Sequence, residues 1–474
     1  MEKIITQKYN NPPAINFNKH HNMLKSALSQ ITKYEQTKTP TLEIAQAYYN
    51  IGKLDESEQV ILKLQNDEKL QKLQDDIQKQ RLQSAEGLYD FKQMVEEAKQ
   101  HFFVRCSNFK NPDIEIRQIQ TTCGYFAKQQ IELGCILMVE KAFLAGENND
   151  RDIQLQLKKQ LKDNQVQQYL LSLKQSELSE LLVIQSSQKE LTYEELTARC
   201  GTNVFTALPR LEYELTLSDA HALYPVQVLG SQNINHSCIP NAFWYFIGDV
   251  QFIVSQKQIQ KDEQISIKLI GIDDWCSYSD LPKQLKERFD YVCQCEMCMS
   301  ITDQQRNDLS KFKQVSEQKL KQIFANGKAT QEQIIAVQDI CKRAESIFDD
   351  CKANRLGLCW FSAAQLAYAY SQNETIQSKK RALEVQVNSL AYFGIDTEDA
   401  QKGKLTMSNR YQHQLNSQVI DIIFNIMTFV KIVDNNTIAN WLNFLKQVFY
   451  YVTGGCEDYQ YFLKLRLERH LNMK

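Results

Sequence analysis

Neither sign of charge is in excess in this sequence: 55 Lys and Arg face 57 Asp and Glu, a formal net charge of -2 over 474 residues. No basic surplus marks a nucleic-acid surface and no acidic surplus marks a solvating tail, so no nucleic-acid partner is expected. Long apolar runs are also missing. The best candidate, Gly134 to Ala145, is shorter than the roughly 18 residues a span needs and carries Glu140 and Lys141, so no membrane span is expected. The first residues, Met1-Glu2-Lys3-Ile4-Ile5, lack the apolar stretch of a secretory signal. The 13 cysteines are therefore expected in a reducing setting, cytoplasmic and/or nuclear, where clustered thiols read as metal ligands rather than disulfides.

What is present is an ordinary globular composition, 43% hydrophobic and 24% charged, with length for about three domains. Residues near 17–100 carry apolar positions at helical spacing and almost no Gly or Pro. The stretch Ala45 to Glu58 has small residues, the pair Tyr48-Tyr49, and Gly52 followed by acidic residues. It fits either a tetratricopeptide-like helix pair or a plain helical hairpin. Lys63 to Gln83 reads as a long helix, and Gly87 as the opening of a shorter one reaching Gln100.

From about Asp113 the period changes. Ile114-Glu115-Ile116-Arg117-Gln118-Ile119 alternates like a half-buried strand, and Ile136 to Val139 is a compact apolar one. Residues 148–198 return to a polar helical pattern. Strand-like pieces resume at Val226 to Leu229, Phe243 to Phe246, Val250 to Val254 and Gln264 to Ile267, with turn chemistry at Gly248-Asp249. Beyond Ser300 the pattern is helical, including a strongly apolar stretch from Val419 to Val430.

The strongest chemical signal is Cys293-Gln294-Cys295-Glu296-Met297-Cys298. Three thiolates this close do not pair sensibly as disulfides but wrap one zinc ion, unless they are unrelated cysteines. A tetrahedral ion needs a fourth ligand, and Cys238, in Asn235-His236-Ser237-Cys238-Ile239-Pro240-Asn241, is the best candidate. Four thiolates leave no site for a metal-bound water, so the zinc reads as structural.

That heptad resembles the signature of the SET-and-MYND lysine methyltransferases, in which the heptad cysteine joins a downstream Cys-x-Cys-x-x-Cys to bind the post-SET zinc. The resemblance extends outward. Gly124-Tyr125-Phe126-Ala127 and Ile131 to Phe143 look like the opening of a SET domain, and Asn203-Val204-Phe205-Thr206 like the start of its second half. Leu223-Tyr224-Pro225 resembles the entry before the heptad, Lys283 to Cys293 the helix into post-SET, and Gly87 to Asp90 the linker before SET. The resemblance covers about residues 87–300.

It implies an α+β fold: a β-rich split SET domain over 108–300 with a post-SET zinc motif at 293–298, between helical regions at 1–100 and 301–474. The insert at about 146–198 holds no cysteine or histidine, so the MYND zinc module is missing. It further implies S-adenosylmethionine as cofactor, with Gly124, Tyr125, Asn203, Asn235, His236 and Tyr291 on the cofactor side. The implied reaction moves a methyl group to a neutral lysine amine, driven chiefly by alignment in a dry channel. Helical surfaces on both flanks suit a protein substrate or partner.

The chain also departs from the pattern. Thr122-Cys123-Gly124 stands where the family has Gly-x-Gly, Leu269 stands at the usual catalytic tyrosine, and Phe289 at the second channel tyrosine. A leucine offers no hydrogen bond. Tyr278, in Cys276-Ser277-Tyr278-Ser279-Asp280-Leu281, resembles the family's Tyr-x-Asp-Leu and is the catalytic candidate, or else an ordinary loop tyrosine. Two readings follow: a protein-lysine methyltransferase, or a catalytically inactive SET scaffold that binds a protein partner.

Overall fold

The computed structural model describes residues 18–50, 53–64, 68–101, 104–119, 122–142, 144–145, 204–206, 225–227, 234–269, 282–283, 285–286, 291–300, 302–324, 330–349, 361–372, 375–407, 415, 417–453, 459–460 and 462–464. The insert at 146–198, Asn203, Tyr278 and Phe289 lie outside them.

Among the described residues four helices come first: α1 (Asn18–Thr37), α2 (Leu42–Asn50), α3 (Leu54–Ile61) and α4 (Glu68–Glu86). Their common core holds Ile31, Tyr48, Val60, Leu73 and Ile77. The small residues Ala45 and Ala47 are fully buried in it, which lets the backbones approach. Buried Ser57 donates its hydroxyl to the Ala45 carbonyl at 2.7 Å and clips α3 to α2. Arg81 of α4 reaches Asp55 and Glu58 of α3, each at 2.7 Å.

The helix after Leu62 begins at Glu68, later than the Lys63 start expected from the sequence. The reason is local: Lys63 and Leu64 turn off α3, their amides bonding the Val60 and Ile61 carbonyls. Gly87, expected to open the next helix, closes α4 instead. It adopts φ +68, and its amide bonds the Gln83 carbonyl, the usual role of a glycine past a helix end. The next helix, α5 (Phe91–His101), starts where Asp90 accepts the Gln93 amide at 2.9 Å.

The strands are β1 (Phe109–Lys110), β2 (Ile114–Ile119), β3 (Thr122–Ala127), β4 (Ile136–Lys141), β5 (Leu144–Ala145), β6 (Val204–Thr206), β7 (Pro225–Gln227), β8 (Asn235–His236), β9 (Ala242–Ile247), β10 (Val250–Ser255) and β11 (Ser266–Ile267). They form a four-stranded sheet in the order β1-β4-β10-β9, a three-stranded sheet β5-β7-β6, an antiparallel pair β2-β3 and a parallel pair β11-β8. The turn at Gly248-Asp249 joins β9 to β10 with Val250 opposite Ile247. Asp249 is buried there. One carboxylate oxygen accepts the Val104 amide at 2.8 Å, and burial pushes its pKa up.

Beyond the strands come α6 (Glu296–Ser300), α7 (Asp303–Phe324), α8 (Gln331–Asp349), α9 (Phe361–Ser371), α10 (Ile376–Ser389), α11 (Thr397–Gln401), α12 (Ser417–Val433) and α13 (Ile438–Thr453). Every residue of β10 is buried because both faces of its sheet are covered. Val250, Phe252 and Val254 join Val139 and Tyr245 in a core shared with α5, α12 and α13. Ile253, Met138 and Phe246 face the other way, into a core with Tyr125, Ala127, Ile265 and Ile267.

Two contacts seat α13 on the strand-rich part. The Tyr245 hydroxyl donates to the Thr453 carbonyl at 2.9 Å. Gly134 adopts φ +83 directly beneath Tyr451, where an added Cβ would stand 2.8 Å from the ring. Only glycine takes that backbone conformation at no cost. Gly134→Ala is therefore expected to lower the unfolding free energy by about 1–3 kcal/mol. Urea denaturation checks this, and an unchanged midpoint would mean that α13 shifts freely on the sheet.

Candidate functional site

The heptad folds as the short strand β8 followed by a tight loop. β8 runs parallel to β11, with Asn235 opposite Ser266 and His236 opposite Ile267, and the Ser237 amide extends the pairing to the Ile267 carbonyl at 3.0 Å. Two residues in a strand are too few to hold a register alone, and Asn241 supplies what is missing. Its side-chain nitrogen donates to the Gln264 carbonyl at 2.8 Å and to Glu263 at 3.0 Å, while its oxygen accepts the Ser266 amide at 2.8 Å. Gln256 closes the loop from below by donating to the Pro240 carbonyl at 2.7 Å.

The same 263–267 segment reaches β3. The Ile265 amide donates to the Tyr125 carbonyl at 2.8 Å, and the Ala127 amide to the Glu263 carbonyl at 3.1 Å. Gly124 and Tyr125 are thus joined to Asn235 and His236 through one intervening stretch of chain. Gly124 sits mid-strand opposite Arg117. Tyr125 is only 2% exposed and packs in the core. Asn235 keeps a half-buried side chain.

His236 is 2% exposed, and both ring nitrogens face protein. Nδ1 accepts the Leu269 amide at 3.1 Å, and Nε2 lies 3.5 Å from Cys238 Sγ. Burial pushes its pKa down to about 4, so the ring is neutral. Its ring is committed to the protein interior rather than presented to a ligand. The His236 carbonyl accepts the Tyr291 hydroxyl at 3.0 Å, and the two rings meet edge-on. Burial, then the neighbouring cysteines, pushes Tyr291 up to about 12, which keeps that hydroxyl protonated as a donor.

Cys238, Cys293, Cys295 and Cys298 come together, their sulfurs all within 4.8 Å of one another. Cys238 Sγ lies 3.9 Å from that of Cys293 and 3.4 Å from that of Cys298. Zinc–sulfur bonds of about 2.3 Å in a tetrahedron put the sulfurs about 3.8 Å apart, so the donor set fits a zinc ion in both chemistry and spacing. The thiols of Cys293, Cys295 and Cys298 push Cys238 up, whereas the other three cysteines together hold Cys295 down. The charge that four thiolates would carry needs a cation.

Leu269 lies half-buried at the edge of the core. Its amide is held by His236, and the preceding carbonyl, of Lys268, accepts the Trp244 indole N–H at 3.2 Å. Neither Trp244 nor Glu263 carries a sequence signal for this role. Asn241 does, as the short polar residue that closes the heptad after Pro240.

Residues 122–268 match the family model described as "SET domain". Among curated proteins, the chain is 35% identical over 79 residues to "SET domain and MYND-type zinc finger protein 6" of Schizosaccharomyces pombe. That alignment takes in 17% of this chain and spans only 16% of the relative's length. Among solved structures, one described as "Crystal structure of the SET domain of LSMT bound to Lysine and AdoHcy" aligns at 12% identity over 76% of this chain and 93% of that one, with a TM-score of 0.24. The heptad, its partner segment 263–268 and β3 all fall inside the matched range, and the chain carries a SET domain.

Proposed function

We propose that the chain is an S-adenosylmethionine-dependent protein-lysine N-methyltransferase whose split SET core is closed by a structural zinc ion. The observation that carries this reading is the heptad itself. Within the SET-matched range, β8 lies against 263–269 and delivers Cys238 to the three cysteines of the 293–298 motif. Zinc held by Cys238, Cys293, Cys295 and Cys298 ties the post-SET segment onto the core.

When bound, S-adenosylmethionine supplies a methyl group on a sulfonium. On this chain, Asn235 offers a half-buried amide with both donor and acceptor capacity, and Gly124 offers a strand edge without a Cβ. Asn203 is assigned to the same role on the resemblance of Asn203-Val204-Phe205-Thr206 alone. Tyr291 packs its ring beside His236. His236 supports this group from behind, and Tyr125 does so from the core. The amine must arrive neutral, and orienting it is the task of Tyr278, since Leu269 has no polar atom to give.

A second reading, a SET scaffold without activity, is favoured by one observation: Leu269 occupies the tyrosine position on a backbone pinned by His236 and Trp244. In either reading the flanking helices, read as tetratricopeptide-like, serve a protein substrate or partner. The balanced charge gives a nucleic-acid partner no electrostatic support. No described helix is long and apolar enough to cross a membrane, and the proposed site of action is the cytoplasm and/or nucleus.

Titration calorimetry of the purified chain with S-adenosylmethionine is expected to give micromolar binding, near -8 kcal/mol; a folded, metal-loaded sample that does not bind would leave the scaffold. For the enzyme, Tyr278→Phe should lower methyl transfer about 100-fold or more with cofactor affinity retained, and full activity in that variant would remove Tyr278 from the chemistry. Cys295→Ser is expected to lose zinc and several kcal/mol of stability. Elemental analysis with thermal unfolding measures both, and unchanged stoichiometry would rule out the four-cysteine site.

A further inference from the structure

His236 stands between the four-cysteine cluster and the segment after β11 that carries Leu269, and its geometry fixes its chemistry. The Leu269 amide points at Nδ1 at 3.1 Å. A backbone N–H only donates, so Nδ1 carries a lone pair, and in a neutral imidazole the hydrogen then sits on Nε2. Nε2 is 3.5 Å from Cys238 Sγ, within N–H···S reach. The ring is 2% exposed, so water does not compete for either contact. The backbone of the same residue is engaged as well. Its carbonyl takes the Tyr291 hydroxyl at 3.0 Å and has Cys293 Sγ at 3.9 Å, and the next amide bonds Ile267. A hydrogen bond to a metal-bound thiolate orients the ligand and draws charge from the sulfur.

We propose that His236 is a positioning residue that couples the four-cysteine metal centre to the 266–269 segment, its Nε2–H donating to the Cys238 thiolate while its Nδ1 holds the Leu269 amide. Metal loading then sets the position of Leu269, at the edge of the proposed reaction channel. The coupling rests on the zinc reading above and is independent of whether the chain transfers methyl groups.

The test uses the full chain loaded with cobalt(II) in place of zinc, and two variants that each keep one half of the imidazole. In His236→Asn the side-chain oxygen falls about where Nδ1 sits. In His236→Gln the side-chain nitrogen falls about where Nε2 sits. Two readouts are taken: the thiolate-to-cobalt charge-transfer band, and hydrogen exchange of the Leu269 amide.

For His236→Asn, the expected result is a band moved to lower energy with Leu269 still protected. For His236→Gln, it is an unmoved band with Leu269 exchanging roughly tenfold faster, the loss of one hydrogen bond. Both readouts moving together in both variants, or neither moving in either, would reduce His236 to a packing residue and overturn the coupling. Failure of the wild-type chain to bind one cobalt ion would remove the metal reading, and the coupling with it. If neither variant folds, the wild-type chain is compared loaded and chelator-stripped. Leu269 should then lose protection on stripping while Val254, in the buried sheet, keeps it; equal protection of Leu269 in the two states overturns the proposal.

Discussion

Four sulfurs within 4.8 Å of one another would, as thiolates, carry a concentration of negative charge that a bound cation offsets. Among them, Cys238 is pushed up by its three neighbours while Cys295 is held down by the same kind of contact. A chain that brings together cysteines 55 and 60 residues apart in this way has made the position of each segment depend on the other. The consequences spread outward in order. Cys238 fixes the heptad, the heptad fixes 263–269 through β8 and Asn241, and that segment fixes β3 through Tyr125 and Ala127. Gly124, Tyr125, Asn235 and His236 are therefore tied through one segment to the four-cysteine cluster.

The four-stranded sheet imposes a second constraint. A sheet buried on both faces needs an apolar partner on each, and the strand-rich segment supplies only one. The pair β2-β3 with 263–267 covers one face. The other is covered by α5 and by helices from the far end of the chain, with Phe252 and Val254 packed in the same core as Phe444 and Phe449. The C-terminal helices are thus part of the sheet's burial before they are anything else, whatever further surface they offer a partner.

Which features were legible in the sequence follows from how local their causes are. The Cys-x-Cys-x-x-Cys spacing is read directly because a bound ion would constrain residues two and three positions apart. The strands at 114–119, 136–141 and 242–255 are read from runs of at least four residues with a clear pattern. β11 lies inside the strand-like Gln264 to Ile267, but β8 is two residues, paired in parallel with it across about thirty residues, and no periodicity exists in two residues. Gly87 was legible as a break but not as a stop. Only the Asp90 side chain, capping Gln93, separates the end of α4 from the start of α5. The commitment of both His236 nitrogens to the protein had no sequence signal, since the same motif fits a histidine turned toward a ligand. Asn203, Tyr278 and Phe289 lie outside the described residues, and their places stay with the sequence argument.

The leucine at position 269 bears on how a hydroxyl enters the site at all. One route is a slip in register that brings another side chain onto the spot. The segment is held against that by its own contacts: the Leu269 amide on His236, the Lys268 carbonyl under Trp244, the Ile267 carbonyl on Ser237 and the Ser266 amide on Asn241. Moving by one residue would break all four and turn the Ile265 and Ile267 side chains out of the core. A slip is therefore closed on energetic grounds, at several kcal/mol for the hydrogen bonds alone. On the proposed methyltransferase reading, a hydroxyl that orients an amine would come from a separate segment, and the sequence argument offers Tyr278 for it.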